Sequence, residues 1–505
     1  RLSAAAAARL MPLSGALERH AAQNPADPAF LLEDRVLSYG ALIATARHLH
    51  AAFAALVPDG GSAIGPQNHL IAIVTGNHAL FASAFAAATA GANCAALIDP
   101  HLPETVRKRL IGKIDPDIVV TAEGENLLIE SRRGGARKSI AERTDFEAPP
   151  LPEGDAENPF LIVFTSGTTA DPKPIIRDRQ SWRVSLATGA PFFGIDRTTG
   201  TYAPGPLAHG LALYAMTETL LAGAAFHSAR HFEPDAALET ISEKNIRRLV
   251  LVPTMLRRLC IGAPIDSVEA ITIAGAKLTA ADHALAARHF PGAALREYYG
   301  ASELGFVTVT SSGDAASSTA VGKAYPGVRL AVLDNAGNPL PSGETGKIFV
   351  ESPLVATGYL GAGDGAGLAR FGRLATVGDL GFLEADGTLH LLGRSGGMVL
   401  SGGNNIYPSE VEAALLDTGL VRAAHVFGVD HADLGSELVA VIEPARQGLT
   451  PDALGAALTE RLPRYKQPRR IWQCQQMPMT PSGKVSAKTV RQWVAEENDA
   501  LDPFL

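Results

Sequence analysis

The sequence predicts an α/β protein built in layers, followed by a β-rich segment and then a smaller region of mixed α and β. Three observations carry this. Short apolar runs alternate with helical stretches up to about Ser318. After that point strand-like runs are parted by Gly, Pro and Asp turns, and from about Arg394 helical patterning returns. With 505 residues, 46% of them hydrophobic and 19% charged, the chain can fill more than one core, and its length corresponds to about three or four domain-sized units.

Each element follows from local pattern. Leu70–Thr75 reads as a strand leading into an Ala-rich helical stretch, His78–Ala90. Glu104–Ile114 has helical character and precedes the strand-like Ile118–Thr121. Phe160–Phe164, Arg248–Val252 and Ala270–Ala274 are further apolar runs of strand length, and runs without alternation suit strands covered on both faces. Val328–Leu333, Gly346–Glu351 and Thr388–Leu392 form the β-rich segment, with turns such as Asp386-Gly387 between them. A helix is expected to begin near Ser409, and Ala362–Gly367 and Ser395–Asn405 are the expected flexible joints.

Bulk properties exclude several classes. A net charge of −8 argues against a general nucleic-acid binder. Cys94, Cys260 and Cys474 are sparse, odd in number and without metal-type spacing, which reads as free thiols in a reducing compartment, by default the cytoplasm. No run of about twenty uninterrupted apolar residues predicts a membrane span. The Ala-rich stretch Arg1–Leu17 reads as helix rather than signal peptide, because Arg9 interrupts its apolar run.

The strongest local signal is Thr165-Ser166-Gly167-Thr168-Thr169-Ala170-Asp171-Pro172-Lys173, directly after the strand-like FLIVF. Hydroxyls and backbone N–H groups in a tight turn cradle phosphate oxygens, and Lys173 adds a compact positive charge. The loop lacks the G-x-x-x-x-G-K-[ST] pattern, so a P-loop mechanism is not inferred. It resembles the phosphate-binding signature S/T-S-G-T-T-G-x-P-K-G of the adenylate-forming superfamily, which includes acyl- and aryl-CoA synthetases, peptide-synthetase adenylation domains and firefly luciferase. Ala170 and Pro174 stand where that signature has glycines.

Other segments agree in order along the chain. Tyr298-Tyr299-Gly300-Ala301-Ser302-Glu303 is similar to the family's Y-G-x-T-E. The resemblance implies that Tyr299 stacks on adenine within the nucleotide-contacting Tyr298–Gly300 stretch, that Ser302 contacts the α-phosphate, and that Glu303 is the ligand for Mg²⁺. Gly275-Ala276-Lys277 resembles the adenine- and acyl-facing turn, and Thr376-Val377-Gly378-Asp379 the segment whose Asp accepts from the ribose hydroxyls. Arg394 matches a second ribose or phosphate contact. Pro478–Lys484 fits P-x-T-x-x-G-K, which makes Lys484 the expected catalytic cation. Ser401–Glu412, with Gly402 and Gly403, resembles the thiol-side loop of acyl-CoA synthetases.

The implied protein is a large multi-layered N-terminal domain, residues 1–393, with its β-rich subdomain at about 318–393, and a small mobile α+β domain, residues 394–505. The implied activity is ATP- and Mg²⁺-dependent conversion of a carboxylic acid to an acyl-adenylate, then thioester formation with coenzyme A. Gly396-Gly397 replaces the family's usual Asp or Lys hinge, which frees the backbone but removes side chains that would hold either end state.

Pro206-Leu207-Ala208-His209-Gly210 resembles the acyl-pocket segment, with His209 facing the acid. No Asp beside His209 in sequence argues against an α-amino acid. Small residues (Ala208, Gly210, Gly275, Ala276, Gly300, Ala301, Gly305), with Phe306 as a wall, favour an aromatic or medium-length aliphatic acid. Two alternatives stand beside this reading: loading of the phosphopantetheine thiol of an acyl carrier protein, and a non-catalytic nucleotide-binding homologue.

Overall fold

The computed structural model describes residues 13–57, 69–165, 172–310, 319–361, 368–394, 397, 399–401, 404–431, 435–480 and 483–505. Two large sheets dominate the N-terminal portion. In the first, Pro28–Leu32, Phe226–Ser228, Thr201–Tyr202, Arg248–Leu251, Ala270–Ile273 and Ala294–Ala301 run parallel in that spatial order. In the second, Pro159–Thr165, Cys94–Leu97, Leu70–Val74 and Ile118–Glu123 form a parallel centre. Antiparallel strands flank that centre on both sides.

Burial explains the unalternating apolar runs. Leu70–Val74 and Cys94–Leu97 are buried at every position, as parallel strands covered on both faces require. The helix Phe81–Ala88 is buried all round, so it lies between layers rather than on a surface. It shares one core with Phe30 and Phe226 of the first sheet and Ile71 and Phe160 of the second. This helix is shorter than the His78–Ala90 stretch expected from composition. His78 shapes a turn before it, its Nδ1 accepting from Leu80 N at 3.1 Å. Glu104–Ile114 has the predicted bounds; of the Arg1–Leu17 stretch, residues 1–12 lie outside the described residues, and the first described helix is Ser14–Gln23.

The β-rich segment is continuous with the parallel sheet rather than a fresh start at residue 318. After Ala301 the chain turns back into Gly305–Val309, antiparallel to Ala294–Ala301. Ala320–Ala324, Leu389–Arg394, Asp379–Leu383 and Gly346–Glu351 extend the same sheet antiparallel. A third sheet begins at Val399–Ser401 and carries the helices Pro408–Asp417 and Pro451–Thr459 over its own core.

Part of the expected joint, Val399–Ser401 and Asn404–Ile406, pairs as a hairpin. The other, Ala362–Gly367, lies outside the described residues. The three cysteines are free and buried, and burial pushes the Cys94 and Cys260 thiols up to about 12. Among the described residues no helix is long and apolar enough to cross a membrane.

Candidate active site

The parallel strands of both sheets end toward a cavity of about 320 Å³. Its walls come from six segments far apart in sequence: Leu161–Phe164, Arg177–Ser185, Gly205–Tyr214, Val250–Met255, Ala274–Gly275 and Tyr298–Phe306, and it is closed by Leu354 and Lys484. Of the residues singled out from sequence, His209, Gly275, Tyr298, Gly300, Ser302, Glu303 and Lys484 line this space. Gly210, Ala301, Gly305 and Phe306 also line it, whereas Ala208 and Ala276 do not.

The Tyr298–Glu303 turn is positioned by backbone constraint and by a buried cation. A Cβ on Gly300 would fall 2.4 Å from the Gly305 carbonyl oxygen, so the tight return needs glycine there. The carbonyl of Ser302 accepts from Arg177 Nε at 3.1 Å and Nη2 at 2.6 Å, while Nη1 donates to Leu354 O at 2.6 Å. Burial lowers the Arg177 guanidinium to about 10, and it lies against the cavity wall. Sequence gave no reason to single it out, since an arginine in KPIIRD reads as an exposed strand residue.

Glu303 is nearly buried and accepts from the Tyr359 hydroxyl at 2.9 Å. Tyr359 belongs to a short strand paired antiparallel with Lys173–Asp178, and Lys173 Nζ lies 5.6 Å from its ring centroid. Thr165 and Lys173 face each other at the end of the Pro159–Thr165/Lys173–Asp178 hairpin. Ser166, Gly167, Thr168 and Thr169 at its tip lie outside the described residues, as do Gly402, Gly403 and Gly396.

Tyr299 and Asp379 meet directly, the Tyr299 hydroxyl donating to Asp379 Oδ2. Arg394 stands opposite Asp379 in the antiparallel ladder, so the two predicted ribose contacts share one register position. Tyr298 turns the other way. It packs edge-on against Phe306, ring centroids 4.5 Å apart, among the aromatics of the cavity wall rather than beside Tyr299 and Asp379. Ala276 is exposed, and Lys277 is drawn to Glu297 at 2.8 Å, an ion pair that pins the Gly275 turn to the neighbouring strand.

Lys484 reaches the cavity from the C-terminal region. A Cβ on Gly275 would sit 3.2 Å from Lys484 Cε. The loop is docked through Thr254, whose hydroxyl donates to Gly483 O at 2.7 Å. Gly483 has φ +74°, and a Cβ there would fall 2.7 Å from Val252. Thr254 was not foreseen, because its partner lies 229 positions away.

His209 caps the opposite side. No Asp stands beside His209 in sequence, but in space Asp99 Oδ2 lies 3.5 Å from His209 Nε2, within ion-pair range but long for a hydrogen bond. The Asp comes from another strand end, so sequence adjacency missed it. Burial alone would raise the Asp99 carboxyl. Contacts from His209 and from the His101 backbone and ring outweigh that and hold it at about 2. Buried and occupied by two histidines, Asp99 is not among the cavity-lining residues.

Residues 17–360 match the AMP-binding enzyme family, and residues 410–484 match the AMP-binding enzyme C-terminal domain. The chain belongs to the AMP-binding enzyme family. Among its relatives is an uncharacterized acyl-CoA ligase, YhfT, of Bacillus subtilis, 32% identical over 84% of this chain and 88% of its own. An indoleacetate–CoA ligase of Aromatoleum aromaticum is 27% identical over 96% and 99%. Feruloyl-CoA synthase of an Amycolatopsis species is 32% identical over 69% and 72%. The fold is shared with an anthranilate CoA ligase solved with anthranoyl-AMP, with TM-score 0.81, 19% identity and coverage of 97% and 99%. It is also shared with an o-succinylbenzoate CoA synthetase of Bacillus subtilis solved with AMP, with TM-score 0.79, 21% identity and coverage of 95% and 98%.

Proposed function

We propose that this AMP-binding enzyme activates a carboxylic acid with ATP, releasing pyrophosphate, and passes the acyl group to the thiol of coenzyme A. The observation that carries this is the meeting of Lys484 with Gly275, Ser302 and Glu303 in one cavity whose other end is aromatic. An acid bound there has its carboxylate at the polar mouth and its body among Trp182, Tyr214 and Phe306.

A carboxylate is a poor acyl donor because its leaving group would be oxide, and attack on the α-phosphate replaces that with AMP. Negative charge builds on the phosphate oxygens during in-line attack, and a cation already in place stabilises it. Lys484 serves this role, with Lys173 at the hairpin end and Ser302 as a hydroxyl contact. The docked Gly483 carbonyl orders the lysine loop before the reaction, so the geometry costs little at the moment of transfer. Tyr299 presents its ring to adenine while its hydroxyl steers Asp379 toward the ribose.

Glu303 fits a magnesium ligand. Its hard carboxylate oxygens face an enclosed site, and among the described residues its hydrogen-bond partner is a neutral phenol rather than a lysine or arginine. Bound Mg²⁺ would supply charge neutralisation on the phosphate oxygens.

The division into domains 1–393 and 394–505 is supported by the change of sheet, since Arg394 ends a strand of the first sheet and Val399 begins the third. The glycines between them serve as the pivot for presenting a different face to the thiol. Coenzyme A is preferred over a carrier protein because the curated relatives named above are CoA ligases. Free buried thiols suit a reducing compartment, the cytoplasm. Aromatic walls favour an aromatic acid over a medium-chain aliphatic one.

The test is pyrophosphate release across a panel of carboxylic acids, with and without coenzyme A. Acid-dependent release with thioester formation is expected. Release that yields thioester only on a phosphopantetheinylated carrier protein would replace the acceptor, and no release with any acid would overturn the reading.

A further inference from the structure

The short segment 275–280, between the strand Ala270–Ile273 and the body of the helix Ala280–His289, is touched at both ends by the C-terminal region. At one end Lys484 passes over Gly275 into the cavity. At the other, Asp417 Oδ1 accepts from Ala280 N at 3.3 Å. Between these points a buried carboxylate fixes the segment to the neighbouring strand. Glu297, 5% exposed, accepts from Lys277 Nζ at 2.8 Å and from Leu278 N at 2.6 Å. The segment is therefore a platform held from behind.

The position of Asp417 is unusual for its own helix. It is the last residue of Pro408–Asp417, where a carboxylate meets the negative end of the helix dipole. The other helix accounts for it. In front of Ala280–His289, Thr279 Oγ1 accepts from Asp282 N at 3.1 Å, and Asp282 Oδ2 accepts from Thr279 N at 2.9 Å. That reciprocal cap does not reach the Ala280 N–H, one of the orphan donors of a helix start. Asp417 supplies its acceptor, and a negative charge at a positive helix end.

Thr254 makes the second tie, donating to Gly483 O at 2.7 Å from the start of the helix Pro253–Leu259. Beside Asp417 the two faces stand apart. A cavity of about 430 Å³ opens there, with Arg257, Leu285 and Arg288 on one side and Leu416, Val421 and Arg422 on the other. Packing contributes little across such a gap, so hydrogen bonds at its edge set the angle of the domain.

We propose that Thr254 and Asp417 are positioning residues for acid activation, seating the C-terminal domain on the platform 275–280 so that Lys484 enters the cavity. This rests on the ligase reading above, in which the same domain later turns a different face to the thiol. Neither side chain lines the cavity, so neither acts on the reacting atoms directly. Both ties belong to the arrangement that brings Lys484 in, and both are given up when the domain turns. A bond present in only one of two arrangements shifts their equilibrium by its full worth. The first half-reaction draws on the seated fraction and the second on the turned fraction. Their rate ratio follows that equilibrium whichever arrangement dominates.

The experiment measures the two half-reactions separately. The first is pyrophosphate release with whichever of benzoate, cinnamate and octanoate is fastest. The second is thioester formation from the preformed adenylate of that acid with coenzyme A. Asp417→Ala should lower the ratio of the first rate to the second about threefold, and Thr254→Val about tenfold. The double variant should lower it by about the product, because the two contacts share no partner. Asp417→Asn and Thr254→Ser, which keep an acceptor and a donor, should restore most of it. A merely structural role would slow both half-reactions alike. A residue whose truncation leaves the ratio unmoved is not a positioning residue, and the ligase reading survives that result. If none of the three acids releases pyrophosphate from the native chain, the ligase reading and the seating role fall together.

Discussion

The mouth of the cavity and the buried cluster behind its aromatic wall, here its floor, are held by opposite means. At the mouth, Tyr299 is tied to Asp379, Glu303 to Tyr359, and the loop carrying Lys484 to Thr254, so polar groups are ordered by partners drawn from distant segments. At the floor, Glu218 and Arg248 hold one another, while Glu218 Oε1, Arg248 Nε and Nη1 and the Tyr325 hydroxyl have no hydrogen-bond partner among the described residues. The mouth is ordered by hydrogen bonds between distant segments; the floor is held by one buried ion pair. A site that must perform one reaction gains from groups already held in place, whereas a buried ion pair gains only while both partners are present.

The sharpest way to break this contrast is to unbalance the floor. Arg248→Leu leaves the Glu218 carboxyl buried without its cation, and burial already raises that group despite Arg248. A loss of about 3–5 kcal/mol in unfolding free energy is expected, with Arg248→Leu/Glu218→Leu recovering most of it. Denaturant melts of the single and double variants measure this. If the single change proves harmless, the pair is not held as tightly as the floor requires.

At the mouth the corresponding change acts on rate instead of stability. Lys484→Ala should slow acid-dependent pyrophosphate release about a hundred- to a thousandfold while shifting stability by no more than about 0.5 kcal/mol, because the side chain is exposed. Thioester formation from a preformed acyl-adenylate should fall far less. Equal losses in both half-reactions would move Lys484 out of the adenylation step.

Asp99 gives a pH-dependent version of the same contrast. Its folded value of about 2 lies below its ordinary 3.8. A depressed carboxyl stabilises the fold above its unfolded value and loses that contribution as pH falls through the folded value. At neutral pH the contribution is about 2 kcal/mol, and it fades between pH 4 and pH 2. The stability gap between the native chain and Asp99→Asn should therefore close over that window. A gap that is constant with pH would mean that packing rather than charge separates the two.

The mouth was far more legible in sequence than the floor, for a physical reason. Phosphate and ribose contacts are made by short local stretches, so Tyr299-Gly300, Asp379 and Pro478–Lys484 announce themselves as contiguous motifs. The α/β alternation was legible too, since buried strands such as Leu70–Val74 are uniformly apolar. The floor is assembled from single residues far apart in sequence, and Glu218 in AMTETLL or Arg248 in IRRLV looks like an exposed charge. Asp99, Arg177, Thr254 and Tyr359 escaped for the same reason, because each is paired across the tertiary structure. The junction of the β-rich segment was misplaced because an antiparallel return from Ala301 continues the parallel sheet without any break in composition.

Gly483→Ala sharpens how the lysine loop is kept in place. An alanine at φ +74° costs about 1–2 kcal/mol, and its Cβ would press on Val252. The docked position should be depopulated, slowing pyrophosphate release about tenfold with the KM for the acid little changed. An unchanged rate would show that the loop docks without this close approach.

The smallest expected effect tests whether the mouth is ordered by its internal pairs or merely decorated by them. Tyr299→Phe keeps the ring that would stack on adenine and removes only the hydroxyl that donates to Asp379. Losing one hydrogen bond of this kind is worth about 0.5–1.5 kcal/mol, a two- to tenfold rise in the KM for ATP. The acid preference should not move, since Tyr299 is outside the aromatic end. Asp379→Asn acts on the same pair from the other side, and the double variant should cost less than the sum of the two, because residues in contact couple. Strict additivity would mean that Asp379 finds the ribose without help from Tyr299, and the mouth would then be no more preorganised than the floor.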